Sequence, residues 1–129
     1  MTRILIAEDN EDNFNMLSRR LTRQGFEVMG AHNGQKAVEM AIAEQPDVVL
    51  MDISMPVMSG LDATRALRDD PQTRSLPIIA LTAHVGKKDR DSCFDAGCDA
   101  FEGKPVDFQN LIETMANVLA IKGKQLVSS

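Results

Sequence analysis

The sequence predicts a doubly wound α/β domain in which helices cover both faces of a five-stranded parallel sheet. Short apolar runs alternate with segments of helical period along the chain, and several of these runs are apolar without interruption. Uninterrupted apolar runs are typical of parallel strands, because both faces of such a sheet are buried. Right-handed crossovers between successive strands then place helices on both faces.

Five apolar segments are predicted to be the strands. They are Arg3–Ala7, Phe26–Gly30, Asp47–Met51, Ile78–Leu81 and a short Ala100–Glu102. Pro46 and Pro77 each precede a strand and would end any helix that reached them. Gly25 and Gly97 stand where the residue after a helix commonly adopts a left-handed conformation. The positions of these prolines and glycines therefore agree with the element boundaries that the apolar pattern predicts.

The segments between these strands carry apolar residues at helical spacing. The positions that define the first, second and fifth helices are Phe14, Leu17 and Leu21, then Ala37, Val38, Ala41 and Ile42, then Phe108, Leu111, Ile112, Met115 and Leu119. Weaker patterns predict helices over 61–68 and 87–95. Asp107 is well placed to cap the fifth helix, with its carboxylate at the positive end of the helix dipole.

Composition limits the classes of protein to which the chain can belong. It has 129 residues, 19 acidic against 14 basic side chains, and a net charge of −5, which disfavours direct binding to nucleic acid. No apolar run is long enough to cross a membrane, so we expect a soluble, cytoplasmic protein. We expect one domain over residues 1–121 and a short, frayed tail over residues 122–129. Cys93 and Cys98 are interpreted as buried, reduced thiols.

Charged and hydroxyl side chains follow the predicted strands where those strands end. In chain order they are Glu8, Asp9, Asp52, Thr82 and Lys104. Ligands of open α/β sheets bind at the carboxyl ends of the strands, so these five side chains are expected to share one crevice. Neighbouring carboxylates repel each other, and Lys104 together with Mg²⁺, a cation that prefers oxygen ligands, would compensate them.

This constellation points to phosphoryl transfer onto an aspartate. A Mg²⁺ site usually retains room for a phosphate oxygen, and a carboxylate can act as the nucleophile that accepts a phosphoryl group. Asp52 is the best candidate nucleophile because it is the lone acid on the most apolar strand. Thr82 and Lys104 would donate hydrogen bonds to the remaining phosphoryl oxygens.

The chain resembles the receiver domain of two-component response regulators from Arg3 to Ala120. The matching elements are Glu8-Asp9, the phosphoacceptor segment Asp52-Ile-Ser-Met-Pro-Val-Met-Ser-Gly60, Thr82-Ala83 and Lys104-Pro105. Their order and spacing are specific only in combination. The resemblance implies the flavodoxin-like, CheY-like (βα)5 fold with strand order 2-1-3-4-5.

The resemblance also implies roles for individual residues. Asp52 would accept a phosphoryl group from a phosphohistidine, on a sensor histidine kinase or a histidine phosphotransfer protein. Mg²⁺ would be held by Glu8, Asp9, Asp52 and the backbone carbonyl of Ser54, partly through water. Thr82 and the aromatic side chain at position 101 would form the conformational switch.

Three further expectations follow from the same resemblance. The Lys104–Pro105 peptide bond is expected to be cis. Ser54 and His84 occupy positions that influence how long the phosphate survives. Glu8 stands where Asp is commoner in the family, and its longer side chain should still reach the metal through water. Phe101 stands where Tyr is frequent, and it keeps the bulk that the switch uses.

Two other functions on the same fold are disfavoured by the residues at the site. An aspartate-nucleophile phosphatase typically has a second Asp two residues after the nucleophile, where this chain has Ser54. A flavin-binding protein would need a first loop rich in Ser, Thr and Gly, whereas the segment 8–12 is acidic and would repel phosphate without a metal. We therefore expect a phosphoacceptor with only slow self-catalysed hydrolysis and not an enzyme.

The expected output is contact with a downstream protein through the face formed by the fourth helix, fifth strand and fifth helix. This face would include Lys87, Lys88, Asp91, Phe101 and Gln109. No membrane contact is expected, and the protein would be a monomer or a phosphorylation-dependent dimer. A stand-alone regulator suits the chain start, but a module of a hybrid kinase would look similar.

Overall fold

The computed structural model describes residues 1–128, in which five strands alternate with five helices. The strands are β1 (Arg3–Ala7), β2 (Glu27–Ala31), β3 (Val48–Asp52), β4 (Ile78–Thr82) and β5 (Ala100–Gly103). The helices are α1 (Glu11–Arg23), α2 (Gly34–Glu44), α3 (Gly60–Asp69), α4 (Lys87–Ala96) and α5 (Phe108–Ile121). None of these helices has the length and apolar character needed to span a bilayer.

All strand pairs are parallel, and the strand order is β2-β1-β3-β4-β5. Ile4 on β1 is in register with Val48 on β3, and Val49 on β3 with Ile78 on β4. The predicted fold class and the strand order implied by the family resemblance are both confirmed. The chain reverses direction across the sheet between β1 and β3, which is where ligands bind in open α/β folds.

Alternate side chains of the central strands enter two separate apolar clusters. Leu5, Val49 and Ile78 face helices α2, α3 and α4. Ile4 and Leu50 point to the opposite face, where α1 and α5 cover them. The continuous apolar runs therefore arise because both faces of these strands are buried.

Cys93 and Cys98 are buried and free, in agreement with the interpretation from sequence. Burial raises the pKa of the Cys98 thiol to about 11, although its contact with the Thr64 hydroxyl opposes the shift. Both thiols belong to the cluster beneath α3 and α4. Their role in the described structure is therefore packing.

Polar side chains cap four of the helices at their N-termini. The capping residues are Asn10, Asn33, Ser59 and Asp107, and each accepts a hydrogen bond from a backbone N–H three residues later. The predicted cap at Asp107 is confirmed. Helix α4 differs, because Gly86 precedes it and no side chain caps it.

The tail does not have the frayed conformation expected from sequence. The Thr2 N–H donates to the Val127 carbonyl at 2.7 Å, and the Val127 N–H donates to the Thr2 hydroxyl at 2.7 Å. Leu126 packs against the cluster beneath α1 and α5. The expectation of fraying is therefore wrong for residues 126 and 127, because their partner lies at the other end of the sequence.

Candidate functional site

Four strands deliver the predicted site residues to one edge of the sheet. Glu8 and Asp9 follow β1, Asp52 ends β3, Thr82 ends β4 and Lys104 follows β5. Glu8, Asp9 and Asp52 each offer a carboxylate oxygen, and these oxygens lie within 4.8 Å of one another. The Lys104 Nζ lies 2.7 Å from Glu8 Oε1 and 3.0 Å from Asp52 Oδ2. The structure thus brings the three acids and the lysine together.

The turn after β3 fixes the Asp52 side chain from its own main chain. The Ser54 N–H donates to Asp52 Oδ1 at 2.9 Å, and the Gly60 N–H donates to the Ile53 carbonyl at 3.2 Å. A Cβ at Gly60 would lie 2.1 Å from the Asp52 carbonyl oxygen, so no side chain fits there. The glycine at this position therefore allows α3 to begin directly against the end of β3.

The charges of the site are not balanced. Three carboxylates face a single ammonium group, and Glu8 and Asp52 are only 3% and 4% exposed. Burial raises the pKa of Glu8 above its ordinary value, and neighbouring Asp52 adds to the shift while Lys104 opposes it. The residual negative charge would be neutralised by a divalent cation.

Asp52 and Lys104 respond to the same burial in a different way. Burial alone would raise the pKa of Asp52, but its contacts with the Glu8 carboxyl group, the Ser54 N–H and Lys104 outweigh it and hold this pKa below its ordinary value. Burial would lower the pKa of Lys104, yet its two carboxylate partners raise it. Asp52 is thus kept as an anion and Lys104 as a cation.

The donor set of this cluster fits Mg²⁺. All three ligand groups are carboxylates, which are the hard oxygen donors that Mg²⁺ prefers, and the cluster contains no His or Cys. Asp9 is exposed, so the cluster is open to solvent on one side. An octahedral ion could therefore keep water or phosphate oxygens as its other ligands.

Thr82 lies at the site, but its hydroxyl is engaged elsewhere. It donates to the His84 carbonyl at 3.0 Å and accepts from the His84 N–H at 3.0 Å. The Thr82 side chain is buried, whereas His84 is exposed. In this structure Thr82 therefore bonds to the loop after β4 and not to Asp52.

Phe101 lies on β5, away from the acids, with its ring half-buried against α4. The Phe94 ring meets it edge-on at 6.1 Å between centroids, and the Arg90 guanidinium carbon lies 5.1 Å from its centroid. Arg90 and Phe94 were not predicted from sequence as partners of Phe101. Their spacing of four residues on one helical face was the available signal.

Two further features frame the site. The Lys104–Pro105 peptide bond is cis. A groove of about 330 Å³ runs beside it, between α1 and the loop after β5. Met16 and Val106 form part of its apolar wall, and Glu8 and Lys104 lie at its charged end. The site is therefore accessible from the side of α1.

Comparison with known proteins gives one family. Residues 4–116 match the response regulator receiver domain. The polar-differentiation response regulator DivK of Brucella anthropi is 37% identical over 116 residues, which are 90% of this chain and 94% of that protein. The DivK protein of Brucella ovis is 36% identical over the same shares of both chains.

Solved structures agree with this result. A putative response regulator from Chloroflexus aurantiacus superposes with a TM-score of 0.88 at 30% identity, covering 92% of this chain and 98% of that one. The receiver domain of the sensor histidine kinase PA1611 from Pseudomonas aeruginosa has a TM-score of 0.84 at 34% identity, covering 90% and 95%. That structure has a magnesium ion coordinated in its active-site cleft.

The fold and the acidic edge define a receiver domain of a two-component system. The chain belongs to the response regulator receiver domain family. Receiver domains bind Mg²⁺ in the active site and interact with histidine kinases and downstream targets. Membership is consistent with phosphorylation-dependent signalling and not with a conventional enzyme.

Proposed function

We propose that this protein is a signalling switch whose Asp52 accepts a phosphoryl group from the phosphohistidine of a sensor histidine kinase or a histidine phosphotransfer protein. The observation that carries the proposal is the position of Asp52, nearly buried and 3.0 Å from Lys104 in a cluster of three carboxylates. No other aspartate among residues 1–128 combines membership of this carboxylate cluster with an ion pair to a half-buried lysine.

In the proposed transfer, an Asp52 carboxylate oxygen forms a bond to phosphorus while the bond between phosphorus and the donor imidazole nitrogen breaks. The electron pair of the broken bond remains on the imidazole, and Asp52 becomes an acyl phosphate. The low pKa of Asp52 keeps it anionic and ready to attack. The N–H of Ser54 holds one carboxylate oxygen, so the other is directed to the reaction.

The other residues of the site compensate charge during this transfer. Glu8, Asp9, Asp52 and the Ser54 carbonyl would hold Mg²⁺, which neutralises phosphoryl charge when bound. Lys104 lies beside Asp52 with its pKa raised by the two carboxylates, so it carries a positive charge and would bind a phosphoryl oxygen. Thr82 would bind another oxygen after its hydroxyl leaves His84.

Release of the Thr82 hydroxyl from His84 would couple phosphorylation to a change at the surface. Phe101 would change its position with Thr82 and alter the face formed by α4, β5 and α5, where a downstream protein binds. The present contacts support this coupling, because Phe101 already touches two residues of α4. Helix α4 has no side-chain cap and buries only Cys93 and Ala96, so it is weakly held.

Ser54 and His84 would set the lifetime of the phosphorylated state. Both flank the residues proposed to bind the phosphoryl group, and the exposed His84 side chain lies where water reaches it. A His84→Ala variant should hydrolyse its acyl phosphate at a different rate from wild type. Equal rates of dephosphorylation in the two proteins would exclude this role.

The phosphoacceptor is tested by incubating the protein with acetyl phosphate and Mg²⁺ and measuring the intact mass. Wild type should gain one phosphoryl group, and Asp52→Asn should gain none. The exposed Asp95 on α4 supplies a matched control, because Asp95→Asn removes a carboxylate far from the cluster and should label as wild type does. Unchanged labelling of Asp52→Asn would contradict the proposal, as would labelling of wild type that persists with excess EDTA.

A further inference from the structure

His32 lies just beyond the end of β2 and contacts the loop that carries two of the acids. Its Nδ1 is 3.3 Å from the Glu8 carbonyl oxygen. A carbonyl oxygen can only accept a hydrogen bond, so Nδ1 carries the hydrogen and donates it. The ring is otherwise exposed, and it is not part of the acidic cluster.

This bond acts on the peptide unit that joins Glu8 to Asp9. The Glu8 N–H donates to the Ala31 carbonyl at 3.0 Å, and the Glu8 carbonyl accepts from His32. The main chain on both sides of Glu8 is therefore held by the end of β2. Because a peptide unit is planar, fixing the Glu8 carbonyl also fixes the direction in which the chain enters Asp9.

Asp9 depends on this support more than the other two acids do. Lys104 binds both Glu8 and Asp52, and the Ser54 N–H binds Asp52 as well. By contrast, the Asp9 carboxylate is exposed and receives no hydrogen bond or ion pair within the described chain. Its position is set by its backbone alone.

The ring of His32 is itself held in place by Phe14. The two rings meet edge-on, with centroids 5.5 Å apart and planes at 73°. The Phe14 ring occupies the space above Gly30 of β2, since a Cβ there would lie 2.5 Å from two ring atoms. Gly30 thus lets α1 approach β2 closely enough for Phe14 to support the histidine.

We infer that His32 is a positioning residue of the phosphoacceptor site, which orients the peptide between Glu8 and Asp9 so that both carboxylates face one Mg²⁺ ion. This inference rests on the proposed function, because that function assigns Mg²⁺ to these acids. His32 does not touch the ion or the phosphoryl group. Its effect is on the affinity of the site for Mg²⁺ and not on transfer within the loaded site.

The test measures Mg²⁺ binding directly, through the shift of the Asp9 amide signal in NMR titrations of ¹⁵N-labelled protein. His32→Leu keeps side-chain bulk beside Phe14 but removes the donor, and its Kd for Mg²⁺ should rise about threefold to tenfold, the range for one lost hydrogen bond. His32→Asn retains an N–H donor near the position of Nδ1 and should bind Mg²⁺ within about twofold of wild type.

A second readout separates positioning from general damage. At saturating Mg²⁺, His32→Leu should accept phosphoryl groups from acetyl phosphate at the wild-type rate, while the Mg²⁺ concentration for half-maximal rate rises as the Kd does. An unchanged Kd in His32→Leu would overturn the inference. So would an equal loss of affinity in His32→Asn, because the donor would then be irrelevant.

Failure of this inference can be told apart from failure of the proposed function. If wild type binds no Mg²⁺ or Asp52→Asn still labels, the proposed function is wrong, and the inference fails with it. If wild type binds Mg²⁺ and labels on Asp52 but His32→Leu matches it at every Mg²⁺ concentration, only the role of His32 is wrong.

Discussion

The two edges of the sheet use charge in opposite ways. At the carboxyl edge, three carboxylates share Lys104 and retain excess negative charge. At the amino edge, Asp99 is bound by Arg68 at 3.0 Å, by Lys122 at 3.2 Å and by the Ile78 N–H at 2.9 Å. The first edge is incomplete without a cation, whereas the second is satisfied by the protein itself.

Arg68 shows what a completed edge achieves. Beyond Asp99, its guanidinium donates to the carbonyls of Gly97 at 2.9 Å and Leu76 at 2.7 Å. These groups lie at the ends of α4 and before β4, so one side chain satisfies carbonyl oxygens from separate elements. The comparison indicates that the amino edge stabilises the fold, whereas the carboxyl edge keeps uncompensated negative charge that can bind a cation.

The largest effect is expected from removing Lys104, the cation that contacts Glu8 and Asp52 at the carboxyl edge. Lys104→Met should lower the rate of labelling by acetyl phosphate by about 10²-fold or more, the usual effect of losing one group that stabilises transition-state charge. Lys122→Met makes the same change at the amino edge and should label at the wild-type rate. If Lys104→Met labels at a rate within about threefold of wild type, the contrast between the two edges is wrong, because losing a group that stabilises transition-state charge should lower the rate far more.

The reciprocal change should affect stability and not chemistry. Arg68→Met removes one of the three partners of Asp99 and leaves the Gly97 and Leu76 carbonyls without this donor. It should lower the free energy of unfolding by about 2–4 kcal/mol. Urea unfolding followed by circular dichroism measures this loss, and folded protein should label normally. Arg65→Met, which removes an exposed pair with Asp62 on the same helix, should change stability little. Equal losses in both variants would contradict a special role for Arg68.

The affinity for Mg²⁺ at the carboxyl edge should depend on pH. Protons and Mg²⁺ compete for Glu8, and burial raises the pKa of Glu8, so the competition begins at a higher pH than at an exposed glutamate. Affinity should therefore fall as the pH is lowered, by at most about tenfold per unit for one displaced proton. Glu8→Gln should bind more weakly but with a shallower pH dependence. A slope equal to that of wild type would assign the proton to another group.

The smallest effect concerns the tail at the amino edge. Deleting residues 124–129 removes both hydrogen bonds between Thr2 and Val127 and the packing of Leu126. The free energy of unfolding should fall by about 1–2 kcal/mol, measured by urea unfolding, and labelling should not change. Deleting residues 128–129 alone keeps these contacts and should leave stability as it is. If the free energy of unfolding is also unchanged when residues 124–129 are deleted, the contacts of the tail do not stabilise the fold.

Sequence reasoning succeeded where one local pattern determines the structure. The apolar runs identify all five strands, and burial on both faces explains this pattern best in β1, β3 and β4. The edge strands β2 and β5 are only partly buried. The predicted ends of the strands were less accurate. The predicted strands ended at Met51 and Leu81, one residue short of Asp52 and Thr82, whose backbones still pair with Leu81 and Gly103. Hydropathy describes side chains, whereas a strand ends where its backbone hydrogen bonds end.

Contacts between residues that are far apart in the sequence could not be predicted from local patterns. His32 has no second histidine at ligand spacing, and nothing in the sequence indicates its contact with Glu8. That contact follows from the register of β1 and β2. Arg68 likewise occurred at the end of a weak helical pattern, and its partners appear only after α3, β4 and β5 have packed.

The pairing of Thr2 with Val127 means that a short peptide could link the two ends of the described chain at the amino edge. A circular permutant opened in a loop remote from Asp52 would then order the same elements differently along the gene. The crevice that contains Asp52 lies at the opposite edge of the sheet. Such a permutant should therefore keep its acids and lysine together, because their meeting depends on strand neighbours in space and not on the order of synthesis.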